Sequence, residues 1–265
     1  MRALMYFRQM KNLYLVLCLL VAANTLAQKK ETNQNSMTVI VHTPTNDLDN
    51  SLNFYKRLEY KVVSEKEPTL LTNGKALLEI NPDRFARAGL KMYKDSWAEE
   101  LHGLEELTTI HKTEAGYLIN DLNGCWIYLI EGKMALEVEL ADTSFGLTGN
   151  FMGLSLESAE MLKSTKIWQI LGFKITMGTP EKGFVIMAND DGFGVSLMKP
   201  MMCPHLFFNP SMTFFNGENN LGIIEKIRKA NIPIAEEITH FNKAGIVDNI
   251  IIRDPGGYGF FIFSD

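Results

Sequence analysis

The chain repeats itself. Residues 47–62 (DLDNSLNFYKRLEYKV) and 160–175 (EMLKSTKIWQILGFKI) match at a constant offset of 113, which sets Ser51 with Ser164, Tyr55 with Trp168, Leu58 with Leu171 and Tyr60 with Phe173. A second pair lies downstream. INDLNGCWIYLI from Ile119 and IRDPGGYGFFIF from Ile252 are offset by 133, setting Asp121 with Asp254, Gly124 with Gly257 and Tyr128 with Phe261. The order is the same in both halves, so each half is one copy of a module. A duplication constrains the fold more than local propensity does, because any element assigned in one copy must also fit the other.

Each copy parses the same way. Residues 37–43 (MTVIVHT) are β-branched and alternate, which predicts a strand. Asp47 can cap the following helix, where Leu48, Leu52, Tyr55 and Leu58 form an apolar stripe at helical spacing. Strands follow near 60–64, 69–73 and 75–80, then 86–94, a helix over 97–107, and strands at 115–120 and 125–130. The second copy repeats the plan. Its strands fall near 151–157, 173–177, 183–187, 193–198, 211–216, 233–238, 246–252 and 258–263, and its helices near 159–170 and 218–230. Asn123-Gly124 and Pro255-Gly256-Gly257 are turn signals before each closing strand. The modules are therefore 37–131 and 150–265, with a connector at 132–149. In the connector Leu136, Val138 and Leu140 alternate with Glu137 and Glu139, the pattern of a short extra strand or of a solvated acidic patch.

The start of the chain reads as an address. Arg2, Arg8 and Lys11 precede an eleven-residue apolar run, Leu13 to Ala23, and then Asn24-Thr25-Leu26-Ala27. A basic start, a short apolar core and small residues make a secretory signal peptide at 1–27, cut after Ala27. The run would rise only about 16 Å as a helix, against a bilayer core of about 30 Å. Cys18 follows Leu17 inside the run, which does not suit a lipidation site. Residues 28–36 (QKKETNQNS) read as a flexible leader. The expected location is the periplasm or the exterior.

Composition excludes whole classes. With 46% hydrophobic and 22% charged residues in 265, the chain is neither disordered, collagen-like nor a coiled coil. The formal charge is −5, and without residues 1–27 it is −8, from 23 basic and 31 acidic residues, so a general nucleic-acid partner is disfavoured. Three cysteines rule out a disulfide-built scaffold. Cys125 and Cys203 remain after the leader, either bridged or as two separate thiols.

The S-L-x-F-Y-x-x-L-x-Y helix, its copy ending L-G-F and the closing R-D-P-G-G-Y-G-F-F-I-F resemble the vicinal oxygen chelate superfamily. That superfamily includes glyoxalase I, extradiol dioxygenases, methylmalonyl-CoA epimerase and bleomycin-resistance proteins. The resemblance covers residues 37–265 and implies an α+β fold. Four βαβββ units would form two cup-shaped, eight-stranded mixed sheets with helices outside.

The resemblance also implies a divalent metal in the cup, held by His and Glu from the first and last strands of paired units, where a Lewis acid would act on vicinal oxygens. Period two names the inward positions. They are Ile40 and His42, Leu77 and Glu79, Arg87, Lys91 and Tyr93, and Trp126 and Tyr128. Glu79 matches the fourth-strand glutamate. The first-strand ligand aligns with Ile40, leaving His42 two residues late. The fifth-strand position aligns with Arg87 or Ala88, and the eighth holds Tyr128. In the second copy Gly153, Ser155, Leu197 and Phe261 stand at the matching positions, and none is a plausible ligand. Phe214, Phe261 and Phe263 there would line an apolar pocket or fill a core. Cys203 and His205 form one pair, not a cluster, and His102, His111 and His240 take no role.

Three functions follow. The first is a small-molecule binder without the family's usual metal, with His42, Glu79, Arg87 and Tyr128 gripping a small anion or hydrogen-bonding ligand. The second is a metal-dependent lyase or dioxygenase with a non-standard ligand set including His42 and Glu79. The third is a partner-binding module. Glu79 and Arg87 as an internal ion pair is the purely structural alternative.

Overall fold

The computed structural model describes residues 37–264. The leader at 1–27 and residues 28–36 lie outside the described residues. No helix among the described residues is long and apolar enough to cross a membrane.

The first copy runs β1 (Thr38–Pro44), α1 (Leu48–Arg57), β2 (Lys61–Ser64), β3 (Thr69–Thr72) and β4 (Leu77–Asn81). It continues β5 (Gly89–Lys94), α2 (Ala98–Leu104), β6 (His111–Thr113), β7 (Gly116–Asn120) and β8 (Trp126–Glu131). The second runs β9 (Phe151–Glu157), α3 (Met161–Ile170), β10 (Lys174–Thr179), β11 (Phe184–Ala188) and β12 (Gly194–Met198). It ends with β13 (Ser211–Phe215), α4 (Asn220–Lys229), β14 (Ile234–Ile238), β15 (Asn249–Arg253) and β16 (Gly259–Phe263). Each copy is one eight-stranded mixed sheet, in order β2-β3-β4-β1-β5-β8-β7-β6 and β10-β11-β12-β9-β13-β16-β15-β14. These are the two eight-stranded mixed sheets that the resemblance implies, built on the βαβββ order read in each copy.

The local reasons are those in the sequence. Asp47 caps α1 by accepting from the Asn50 N–H at 3.0 Å, and Ser51, Phe54 and Tyr55 are the face it buries. One strand was not predicted. β6 is the exposed tripeptide His-Lys-Thr, which carries no hydrophobic period to announce it.

One face of each sheet carries the helices, and these faces share a single apolar core. Val39, Val41, Leu78, Leu90, Met92, Ile127 and Leu129 from the first sheet are buried in one cluster with Leu154, Leu156, Val185, Ile250 and Ile262 from the second. Phe54 on α1 packs edge-on against Phe260 on β16 at 5.8 Å. The cup faces carry separate smaller clusters. Ile40, Leu70 and Leu77 line the first, Ile238, Ile251 and Phe261 the second. Phe263 joins the second cup, but Phe214 lies in the shared core instead, since its neighbour Thr213 takes the cup side. Leu197 is likewise in the shared core, and Ser196 faces the cup. The expected position was one residue out, and a one-residue slip reverses every side chain of a strand.

The two closing turns pin the copies together. The Asp254 carboxylate accepts from Tyr55 Oη at 2.6 Å and Thr43 Oγ1 at 2.7 Å, both in the first copy. In the reciprocal turn, Asp121 accepts the Asn123 and Cys125 N–H groups at 2.9 and 3.0 Å, and Asn123 Nδ2 donates to Ser164 Oγ on α3 at 2.7 Å. The repeated aspartates thus complete a bridge to the opposite copy.

The connector forms no strand. Its Met134 and Val138 pack on the first cup's apolar cluster while Leu136 and Leu140 stay exposed. It is tied to the first copy by Ala141 N–H to Gly74 O and Phe145 N–H to Asn73 O, both 2.7 Å. Cys125 is buried in the core and Cys203 lies beside Met198, so the two are separate thiols.

Candidate functional site

The first cup gathers four polar side chains from its central strands. β1 and β4 are parallel, with His42 directly beside Glu79, and His42 Nδ1 donates to Glu79 Oε1 at 3.0 Å. β5 runs antiparallel to β1 and places Lys91 opposite Ile40, and β8 sets Tyr128 beside Lys91. From that rung the Lys91 stem reaches two rungs along, and its Nζ lies 2.5 Å from the same Glu79 oxygen. The Tyr128 ring packs 4.8 Å from the His42 ring. The His42 side chain is 1% exposed, Glu79 7% and Lys91 15%, so the group opens on the lysine side.

The backbone makes room for this. Gly89 on β5 is opposite His42. A Cβ at position 89 would meet the Trp126 carbonyl oxygen at 1.7 Å, so only glycine lets β5 and β8 approach there. Tyr258 of the second copy donates to the Gly89 carbonyl and holds that spot from behind.

Charge states follow from the surroundings. Burial pushes the His42 pKa down, and the neighbouring Glu79 only partly restores it, so the imidazole is held neutral at neutral pH. For Glu79 burial acts upward, but the His42 N–H and the Lys91 ammonium outweigh it and hold the carboxyl below the usual glutamate range. The dyad is therefore carboxylate and neutral imidazole, with the proton on Nδ1. His42 Nε2 is then a lone-pair acceptor, and it is buried without a hydrogen-bond partner. Tyr128 is pushed up by burial and stays protonated. Its oxygen accepts the Arg87 N–H at 3.0 Å, which leaves the hydroxyl proton for another acceptor.

Arg87 enters the site through its backbone alone. The residue is exposed, and its guanidinium donates to the Ala86 carbonyl at 2.8 Å. The structure brings His42, Glu79 and Tyr128 together and makes Lys91, not Arg87, the ion-pair partner of Glu79. Lys91 was legible as inward-facing from its alternation on β5. Its partner was not, because pairing across rungs depends on register.

Near the β7–β8 end of the first sheet, a groove of about 550 Å³ is bounded by residues 105–109 and lined by His111, Asn120 and Trp126. Asn120 pairs with Trp126 and Leu118 with Tyr128, so Trp126 at the groove stands two residues along β8 from Tyr128, and the groove shares no residue with the polar group.

The second cup repeats the geometry with other chemistry. Ser155 is beside Ser196, as His42 is beside Glu79, and Thr213 lies between Gly153 and Phe261, as Lys91 lies between Ile40 and Tyr128. Ser155 Oγ bonds Ser196 Oγ at 2.7 Å and Thr213 Oγ1 at 2.6 Å. The loop after β12 covers this cup, with the His205 ring 5.3 Å and the Phe207 ring 4.8 Å from Phe261.

No known protein family and no curated protein matches the chain by sequence. Solved structures do match in shape. A variant of homoprotocatechuate 2,3-dioxygenase from Brevibacterium fuscum matches with a TM-score of 0.54 and 14% identity, over 88% of this chain and 73% of that one. The 2,3-dioxygenase LapB from Pseudomonas sp. KL28 gives 0.51 and 13%, over 86% and 91%. A catechol 2,3-dioxygenase gives 0.50 and 12%, over 85% and 88%. The fold is of the tandem vicinal oxygen chelate type. At these identities the likeness establishes the fold alone.

The divalent metal that this fold implies does not fit the residues present. A catalytic metal normally takes about three protein ligands. Among the described residues no three His, Cys, Asp or Glu side chains converge. Glu79 Oε1 is taken by the His42 Nδ1–H and the Lys91 ammonium, so His42 Nε2 would be a lone nitrogen donor, and the ammonium lies against the carboxylate where a dication would have to sit.

Proposed function

We propose that the chain is an exported small-molecule-binding protein whose ligand sits in the first cup on His42 and Tyr128, with Glu79 and Lys91 fixing the site's charge. The observation that carries this reading is the buried, unpartnered His42 Nε2. Leaving such an acceptor unsatisfied costs about 1–3 kcal/mol. The Tyr128 hydroxyl proton stands nearby. A ligand hydroxyl would serve both, donating to Nε2 and accepting from Tyr128. Lys91 is already neutralised by Glu79 and the Arg87 charge lies outside, so the site suits a hydroxyl-bearing molecule better than a free anion. Export rests on the basic, apolar and small-residue pattern of residues 1–27.

The test uses residues 28–265, purified without a metal-binding tag. Metal content is measured first, and then thermal shift against hydroxyl-bearing fragments. We expect no stoichiometric metal and at least one fragment whose shift is lost in His42→Phe and kept in Ser155→Ala. Close to one equivalent of metal would overturn the reading in favour of a metal-dependent enzyme using His42 and Glu79. No responding fragment, together with a stable hetero-complex, would point to a partner-binding module. Cell fractionation with N-terminal sequencing tests export, and a cytoplasmic chain that keeps residues 1–27 would refute it.

A further inference from the structure

Lys91 occupies an unusual place in the duplicated pattern. It stands on the rung of Ile40 and Tyr128, the positions that align with the expected first- and eighth-strand ligands. Its ammonium does not leave for solvent but turns to Glu79, 2.5 Å away, on an oxygen already bonded by His42. The second copy supplies an independent comparison. Where Glu79 gives way to Ser196, Lys91 gives way to Thr213, so carboxylate and cation are absent together. That joint change is expected if the lysine exists to answer the carboxylate, since a buried carboxylate without a counter-charge is strongly penalised.

We propose that Lys91 is a tethered cation that takes the place of a divalent metal in the first cup. The ammonium neutralises Glu79 permanently and bars a dication by repulsion. With Glu79 held ionised, the His42 proton stays on Nδ1 and Nε2 stays an acceptor. The cup thereby acts as a charge-balanced hydrogen-bonding site and not as a chelating one. This inference rests on the metal-free reading of the cup given above.

The test replaces the tethered cation in the full mature chain. Lys91→His and Lys91→Asp each exchange the ammonium for a donor beside His42 and Glu79. Cobalt(II) is the probe, followed by equilibrium dialysis, visible absorption and the cobalt-induced change in melting temperature. We expect the wild type to bind no stoichiometric cobalt. At least one variant should bind one equivalent, roughly 100-fold or more tighter than the wild type. A wild type that takes up one equivalent overturns both this inference and the metal-free reading. Variants that fold by circular dichroism yet ignore cobalt overturn this inference alone, leaving the fragment-binding result to stand. Variants that fail to fold even when refolded with cobalt also overturn it, because the lysine would then be a packing element and not a metal substitute.

Discussion

Asp121 gives the most quantitative test of the buried turns. It is fully buried, and burial raises its pKa to about 6 despite the Asn123 and Cys125 N–H groups that favour its charged form. Its ordinary value is 3.8. At 1.36 kcal/mol per pH unit, the difference corresponds to about 3 kcal/mol. The sign follows from proton counting. Between about pH 4 and pH 6 the folded chain binds this proton more tightly than the unfolded chain, so stability falls as pH rises through that window. Above pH 6 the loss is complete and constant. Asp121→Asn removes the titration while keeping a side-chain oxygen for the turn. Urea unfolding of both proteins from pH 4 to pH 7.5 isolates the effect, because other titrating groups cancel in the difference. The stability gap should move in favour of the variant by about 3 kcal/mol across pH 4–6 and then stay flat. Parallel profiles would show that Asp121 does not carry its proton into this range, and the burial argument for it would be wrong.

Other outcomes follow from the same geometry. Glu79→Gln should cost about 2 kcal/mol at neutral pH by leaving Lys91 unanswered, measured by urea unfolding. Because the Glu79 pKa is held low, that cost should vanish as pH falls through its folded value, and a pH-independent cost would contradict the ion pair. Asp254→Ala strips the partner from Tyr55 and Thr43 and should cost about 3 kcal/mol or more. A loss under about 1 kcal/mol would mean the hydroxyls find new partners. Gly89→Ala drives a Cβ into the Trp126 carbonyl and should cost about 3 kcal/mol or prevent folding. A neutral result would place the β5–β8 contact elsewhere.

Much of this fold can be read from residues 37–265, for a physical reason. Alternation on β1, β4, β5 and β8 reports the burial of one face, and burial is what the hydrophobic pattern encodes. Hence Val39, Val41, Leu78 and Leu90 were assignable to the helix side and Ile40 and Leu77 to the cup. Register is a pairwise property of distant strands and leaves no local trace. That is why Lys91 is legible as inward-facing but its bond to Glu79 is not; Leu197 is a different case, since its alternation with Val195 places it with the core and leaves Ser196 to the cup. The connector misleads in the opposite way. Leu-Glu-Val-Glu-Leu alternates as a strand does, yet it pairs with no strand, and only Val138 finds apolar company. The role of Asp254 was also hidden. Its turn motif is local, whereas the Tyr55 and Thr43 hydroxyls it binds lie about two hundred residues upstream.

The crossed turns change what the duplication means for the molecule. Each copy contains a carboxylate turn that is completed in the other: Asp254 secures β1, the strand carrying His42, and the Asp121 turn secures α3. Neither half then satisfies its closing turn by itself. The chain behaves as a dimer whose two subunits happen to share one backbone, and residues 37–265 form a single compact body. Cutting the connector should therefore leave two fragments that hold each other, while expressing either alone should give a half whose aspartate turn or tyrosine hydroxyl has nothing to bind. The second copy thus carries, in its Asp254 turn, the contact that sets the strand bearing His42.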